Sequence, residues 1–203
     1  MARSFFILGR GYLADIIDAL QGFQKLFYIE YELILGRKNK TVTLLVEFNK
    51  AHFFHLAGLQ YLKDLPRLAF SSEIIFDQLE SGIISSTYIE SSINYEFIRN
   101  RLSFLPKLES IFDSNDTIFR YNSALQAFSV IEADFLMKNT MNNINLFTFL
   151  SKDKNGKYFC KSFFPDEKKD YSLGQTKWTV LLKKKINKTT GSEQILFKHP
   201  SYV

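Results

Sequence analysis

The chain has one cysteine, four prolines, nine glycines and three histidines among 203 residues, and each shortage closes off a class of protein. A single thiol, Cys160, excludes an internal disulfide and a zinc site built from several thiolates, which suits a reducing compartment. No run of about 18 uninterrupted apolar residues is present to span a bilayer. The N-terminal MARSFFILGRGYL lacks a long apolar region and a small-residue cleavage site, so no export signal is read there. A soluble, cytoplasmic protein with no membrane partner is expected. Nucleotide-loop and hydrolase signatures are missing as well. LGRGYL has neither the spacing nor the preceding strand of a dinucleotide loop, and neither a GxxxxGK(S/T) loop nor a GxSxG elbow occurs.

What is present is apolar and aromatic: 21 Phe, 10 Tyr and 46% hydrophobic residues, enough to build a core. From Tyr12 to Phe27, apolar residues at 13, 16, 17, 20, 23, 26 and 27 follow helical spacing. YIEYELILG (28–36) and TVTLLVEF (41–48) change to strand composition and, with RKNK between them, read as a hairpin. Asn49 is a candidate N-cap for a helix carrying Phe53, Leu56, Leu59 and Leu62. A further helix has candidate caps at Ser71 or Ser72 and stops at Gly82, and a third helical stretch, Ser85 to Ser114, must bend or break near Pro106. From Thr117 six β-rich runs follow, the third and fourth joined by KDKNGK with Asn-Gly at the turn. Cys160, in the alternating KYFCKSFF, reads as a half-buried strand residue. The pattern predicts one α+β unit over 1–203, in which N-terminal helices and a hairpin pack on a C-terminal antiparallel sheet. Residues 1–115 are mainly helical with the hairpin at 28–48, and residues 116–203 are mainly sheet.

The net charge of +5 is uneven: residues 151–203 hold twelve lysines and five acidic residues, +7, which leaves −2 for the first 150. Such a field suits a polyanion, and solubilising surface lysines give the same count. NKAHFFHLAGLQYL puts His52 and His55 three residues apart on a helix. No HExxH, cysteine pair or carboxylate triad completes a metal site around them, so neither metal nor cofactor is expected. Two readings stand: the histidines do chemistry together, or one packs and caps while the other faces solvent. Arg99 and Arg101, in YEFIRNRLSF, point in different directions on a helix. One facing a cleft grips a phosphate bidentately, and the alternative is a surface salt bridge to Glu96 or Asp64. Lys161, Ser162, Tyr171, Gln175, Lys177, Trp178 and Lys183 mix charge and stacking surface as RNA-contacting sheets do.

The blocks FNKAHFFHLAGLQYL, IIFDQLESGIISSTYIESS, IRNRLSFLPKLESIF, IEADFLM, NINLFTFLSKD and YFCKSFFPDEKKDYSLGQTKWTVLLKK, in that order, resemble the fourth phage-type nuclease family of the barnase, EndoU, colicin and RelE-like superfamily. The resemblance covers about residues 20–185. It implies an α+β nuclease with RNA lying across the exposed face of an antiparallel sheet. Its motif positions here are His52, His55, Leu56, Gly58 and Leu59, then Arg99 and Arg101, then Ser162, Phe163, Tyr171 and Gln175. Metal-free RNA cleavage needs a base, an acid and a cation at the phosphorus. His55 is the first choice as base or acid, with His52 as its neighbour. Arg99 or Arg101 would hold the phosphate, Tyr171 would serve as second acid/base or stack on a base, and Ser162 and Gln175 would orient the scissile group. Lys161, Lys177, Trp178 and Lys183 would bind flanking RNA. The implied partners are single-stranded or transfer RNA and a cognate antitoxin or immunity protein. The rival classes are a non-catalytic nucleic-acid- or protein-binding module of a mobile element and a structural or regulatory partner protein.

Overall fold

A computed structural model describes residues 15–114, 116–126, 129–165 and 169–202. The N-terminal segment in which no export signal was read lies outside these. Local chemistry starts the helices. Asp15 caps α1 (Ile16–Gln24), its carboxylate accepting from the amides of Ile17 and Asp18 at 2.8 and 2.9 Å. Asn49 caps α2 (Lys50–Ala57), Ser71 caps α3 (Ser72–Glu80), and Ser85 caps α4 (Ser86–Glu90). The stretch expected to break at Pro106 also breaks earlier. After α4 the chain turns around Asp64, whose carboxylate accepts from Ser92 Oγ at 2.6 Å and from the Ile93 amide at 3.0 Å. α5 (Glu96–Phe104) and α6 (Leu108–Asp113) are then separated by the one-turn segment Leu105–Lys107 that holds Pro106.

β1 (Ile29–Arg37) and β2 (Lys40–Glu47) form the expected hairpin, turning on Lys38 and Asn39 at φ 46° and 60°. β3 (Thr117–Arg120), β4 (Phe135–Met141), β5 (Ile144–Lys152), β6 (Tyr158–Pro165), β7 (Thr176–Asn187) and β8 (Glu193–Lys198) follow. Their order corrects the expected architecture. The strands run β1-β2-β6-β5-β4-β3-β7, and β7 pairs back onto β1 from Ile29↔Asn187 to Gly36↔Thr179. Seven strands therefore close into a barrel instead of an open antiparallel sheet, β8 extends β7 outside the ring, and the β2–β6 contact is parallel, at Val46↔Tyr158. The hairpin is barrel wall and not a piece packed on a sheet. The physical reason is that Tyr31, Leu33 and Leu35 of β1 all point into the core while both edges of the strand carry backbone groups to satisfy, and closure satisfies the second edge. Gly36 permits the seam, since a Cβ there would stand 2.7 Å from Leu181 Cδ1.

The main core joins the barrel interior to the helices, packing Phe23, Phe53, Phe76, Ile98, Leu102 and Phe112 with Tyr31, Leu33, Leu44 and Phe135. The opposite face of β4 and β5 builds a second, smaller core from Leu136, Phe147 and Phe149 with Tyr121, covered by Ile131, Phe164 and Tyr171. Both faces of β5 are thus covered, which is why Leu146–Leu150 is buried without alternation.

Candidate active site

The site forms where α5 crosses the end of β6 beside this second core. Arg99 and Arg101 diverge on α5, as residues two positions apart on a helix must. Arg99 points outward to Glu96 at 3.3 Å. Arg101 turns inward, is 9% exposed, and sets its guanidinium 5.1 Å from the ring centre of Phe164 and 5.2 Å from that of Tyr61. Tyr61 comes from the single turn Leu59–Tyr61 that follows α2. Gly58 makes this approach possible. It ends α2 at φ 81°, and a Cβ there would stand 2.8 Å from Ile98 Cγ2 and 3.1 Å from Arg101 Cδ.

Arg101 is electrostatically incomplete. Among the described residues no carboxylate pairs with it, and its buried Nη1 has no hydrogen-bond acceptor. Burial lowers its pKa, and the Tyr61 and Tyr171 phenols only partly offset this. A buried guanidinium in this state favours an incoming anion. Beside it lies a cleft of about 370 Å³, lined by Tyr61, Glu96, Phe97, Asn100, Arg101, residues 129–131, Phe164, Pro165 and Tyr171. That volume suits a nucleotide-sized group. Tyr171 meets Phe147, Phe149 and Phe164 edge-on, and Lys169 Nζ lies 4.7 Å from its ring centre.

Arg101 and Tyr171 are thus brought together, and the histidines are placed elsewhere. His52 is a cap. Its Nδ1 accepts from the Asn49 amide at 3.2 Å, its ring stacks on Phe159 with centres 5.0 Å apart, and burial pulls its pKa down to about 4. His55 is exposed on the last turn of α2, and its pKa is lowered by partial burial and by the Lys161 charge. Neither ring lines the cleft.

The expected RNA contacts divide by burial. Lys161 and Lys177 are exposed, and Ser162 and Trp178 are half-buried. Gln175 is buried and spends its amide on Asn122, accepting from the backbone N–H at 2.8 Å and donating to the C=O at 3.0 Å. Lys183 is 2% exposed and donates to Asp116 Oδ2 at 2.9 Å, Phe112 O at 2.8 Å and Ser114 O at 2.7 Å. All three of its N–H bonds are spent inside the protein, which removes it as an RNA contact. Lys184 pairs with Glu193 and Glu32, and Lys185 with Glu109 and Asp113, so the basic run of β7 is largely neutralised in place. Cys160 is buried on β6, and burial pushes its thiol pKa up, which leaves it unreactive. Among the described residues no three His, Cys, Asp or Glu side chains group to hold a metal ion.

The sequence reading missed Tyr61, Asn100 and Phe164, and treated Glu96 only as a surface partner. A usable signal was phase: Ile98, Arg101, Leu102 and Leu105 stand at i, i+3, i+4 and i+7, so Arg101 occupies a core position of its helix. Comparison with known protein families matches residues 15–198 to the phage-Barnase-EndoU-ColicinE5/D-RelE like nuclease4 family. No curated protein and no solved structure matches the chain. The family match spans both histidines, the buried arginine and the cleft around it, and on that extent the chain belongs to the phage-Barnase-EndoU-ColicinE5/D-RelE like nuclease4 family.

Proposed function

We propose that the chain is a metal-independent endoribonuclease of a phage or mobile-element system, cutting single-stranded or transfer RNA in the cleft between α5, β6 and Tyr171. The observation that supports this reading most is Arg101, a guanidinium held buried and stacked with no carboxylate beside it among the described residues, which a phosphate would complete. Arg101 supplies fixed positive charge to the five-coordinate phosphorus. Glu96, the one acidic side chain lining the cleft among the described residues, takes the 2′-hydroxyl proton as O2′ bonds to phosphorus. The bond to O5′ breaks, and the Tyr171 phenol gives its proton to that oxygen, leaving a 2′,3′-cyclic phosphate and a 5′-hydroxyl. Lys169 and Arg101 stabilise the resulting phenolate, Arg99 orients Glu96, and proton exchange with water resets both groups. His55, neutral at pH 7 because its pKa is lowered, lies with Lys161 where flanking RNA passes. A cognate antitoxin would act by covering the same cleft in the cytoplasm.

One observation favours a second reading, a non-catalytic nucleic-acid- or protein-binding module: neither histidine lines the cleft. Incubating the purified protein with single-stranded and transfer RNA in EDTA separates the two. Cleavage leaving cyclic phosphate ends is expected, with Arg101→Ala and Tyr171→Phe each slower by about a hundredfold. RNA bound and never cut selects the binding module, and undiminished cleavage by Arg101→Ala removes the arginine from the site.

A further inference from the structure

The mouth of the cleft carries an apolar rim that phosphate chemistry leaves unexplained. Phe97 is 71% exposed and Val130 is 95% exposed, both lining the cleft, with Tyr61 at 44% beside them. Phe97 stands four residues before Arg101 on α5, hence one turn away on the same face, and Asn100 lies between them. A helix surface facing only water gains nothing from a phenyl ring so open. In order from inside to mouth the helix presents a cation, an amide and a flat aromatic face.

We propose that Phe97 and Asn100 form a base subsite for one unpaired nucleotide, whose phosphate Arg101 holds. The base stacks on Phe97 against Val130, and the Asn100 amide, which both donates and accepts, hydrogen-bonds its edge. This rests on the nuclease reading for the identity of the polymer and adds that the strand must be single. A paired base offers neither its face nor its pairing edge, so a duplex is excluded from the cleft by chemistry as well as by size.

The test is binding of a labelled 2′-O-methyl single strand, which lacks the nucleophile and is not consumed, to the full chain, measured by fluorescence anisotropy. The same sequence as a duplex and as a strand of abasic residues provides the comparisons. The single strand is expected to bind at least tenfold tighter than either. Phe97→Ala should abolish the advantage over the abasic strand, and Phe97→Trp should retain it, while Phe70→Ala, an exposed aromatic outside the cleft, should change nothing. Equal affinity for single strand and duplex overturns the subsite, as does an unaltered preference in Phe97→Ala or no binding at all. Binding of this pattern without cleavage of unmodified RNA keeps the subsite and removes the nuclease reading. Cleavage by a Phe97→Ala protein with unchanged KM does the reverse.

Discussion

Two buried cations, Lys183 in the barrel wall and Arg101 on α5, have opposite fates. Lys183 is 2% exposed, and its ammonium ends the C-terminus of α6 by donating to the carbonyls of Phe112 and Ser114 while pairing with Asp116 at 2.9 Å. Arg101 is 9% exposed and stacks on two rings, yet among the described residues Nη1 has no acceptor. Both count equally toward the net charge, and a basic composition cannot tell them apart. Satisfaction of the N–H groups can. A cation whose donors are all accepted within the chain belongs to the structure, whereas one kept from water with a donor unaccepted is, on the reading proposed above, held for something that arrives.

The largest expected effect tests the first half of this contrast. Asp116→Ala leaves the Lys183 ammonium buried with two carbonyls and no countercharge, and should cost about 3–5 kcal/mol in denaturant unfolding. Replacing both partners, as Lys183→Met with Asp116→Leu, should recover most of that loss, since it removes the charge together with its need. Arg101→Met tests the other half. Activity or RNA binding should fall by about a hundredfold, while stability changes by no more than about 1 kcal/mol, because the variant trades stacking for relief of a buried charge that has no carboxylate partner among the described residues. A stability loss in Arg101→Met as large as that in Asp116→Ala would break the comparison.

The same distinction decides what was legible in the sequence. The β-rich runs either side of RKNK marked the hairpin, Asn49 was readable as a cap, and Ser71 was one of two candidates, whereas Ser85 was read only as the start of a helical stretch and not as the cap it is. Closure of the barrel was not, because inward alternation looks the same in an open sheet and in a ring, and the seam joins Ile29 to Asn187 across most of the chain. Gly36, which lets β1 approach Leu181, was its nearest trace. Within the cleft, Arg101 and Tyr171 were singled out by residue type. Tyr61, Asn100 and Phe164 were not, since each becomes a lining residue only when α5 crosses β6, a contact that local periodicity does not encode.

Gly58 links the two sides of the comparison, since it is a backbone device that sets a side chain. Gly58→Ala places a methyl group 2.8 Å from Ile98 Cγ2 and 3.1 Å from Arg101 Cδ at a φ of 81°. The strain should cost about 2 kcal/mol of stability. Crystallography or NMR of the variant should show Arg101 displaced from Phe164, with activity falling by more than the unfolded fraction explains. Full activity in a destabilised Gly58→Ala protein would mean that Arg101 tolerates a looser seat than its stacking suggests.

The smallest effect concerns the histidines, which repeat the contrast of spent and open groups in neutral form. His52 spends Nδ1 on the Asn49 amide and lies on Phe159, and burial holds its pKa near 4 in the folded chain against about 6.5 when unfolded. The unfolded ring therefore takes up a proton first as the pH falls. The stability that His52 confers is complete above about pH 6.5, shrinks as the pH drops below that, and is gone by about pH 4. His52→Gln keeps a side-chain acceptor and cannot titrate; the full linkage between pH 7 and pH 4.5 is about 2.4 kcal/mol, and with solvent screening of the half-buried ring the variant's loss of stability over that range should be smaller than that of the wild type by about 1 kcal/mol. His55 is exposed and its pKa moves the same way through partial burial and Lys161, so His55→Gln should alter that slope less. If His55→Gln flattens the slope more than His52→Gln does, then His55 is the ring held in the fold and the assignment of His52 as the cap must be reversed.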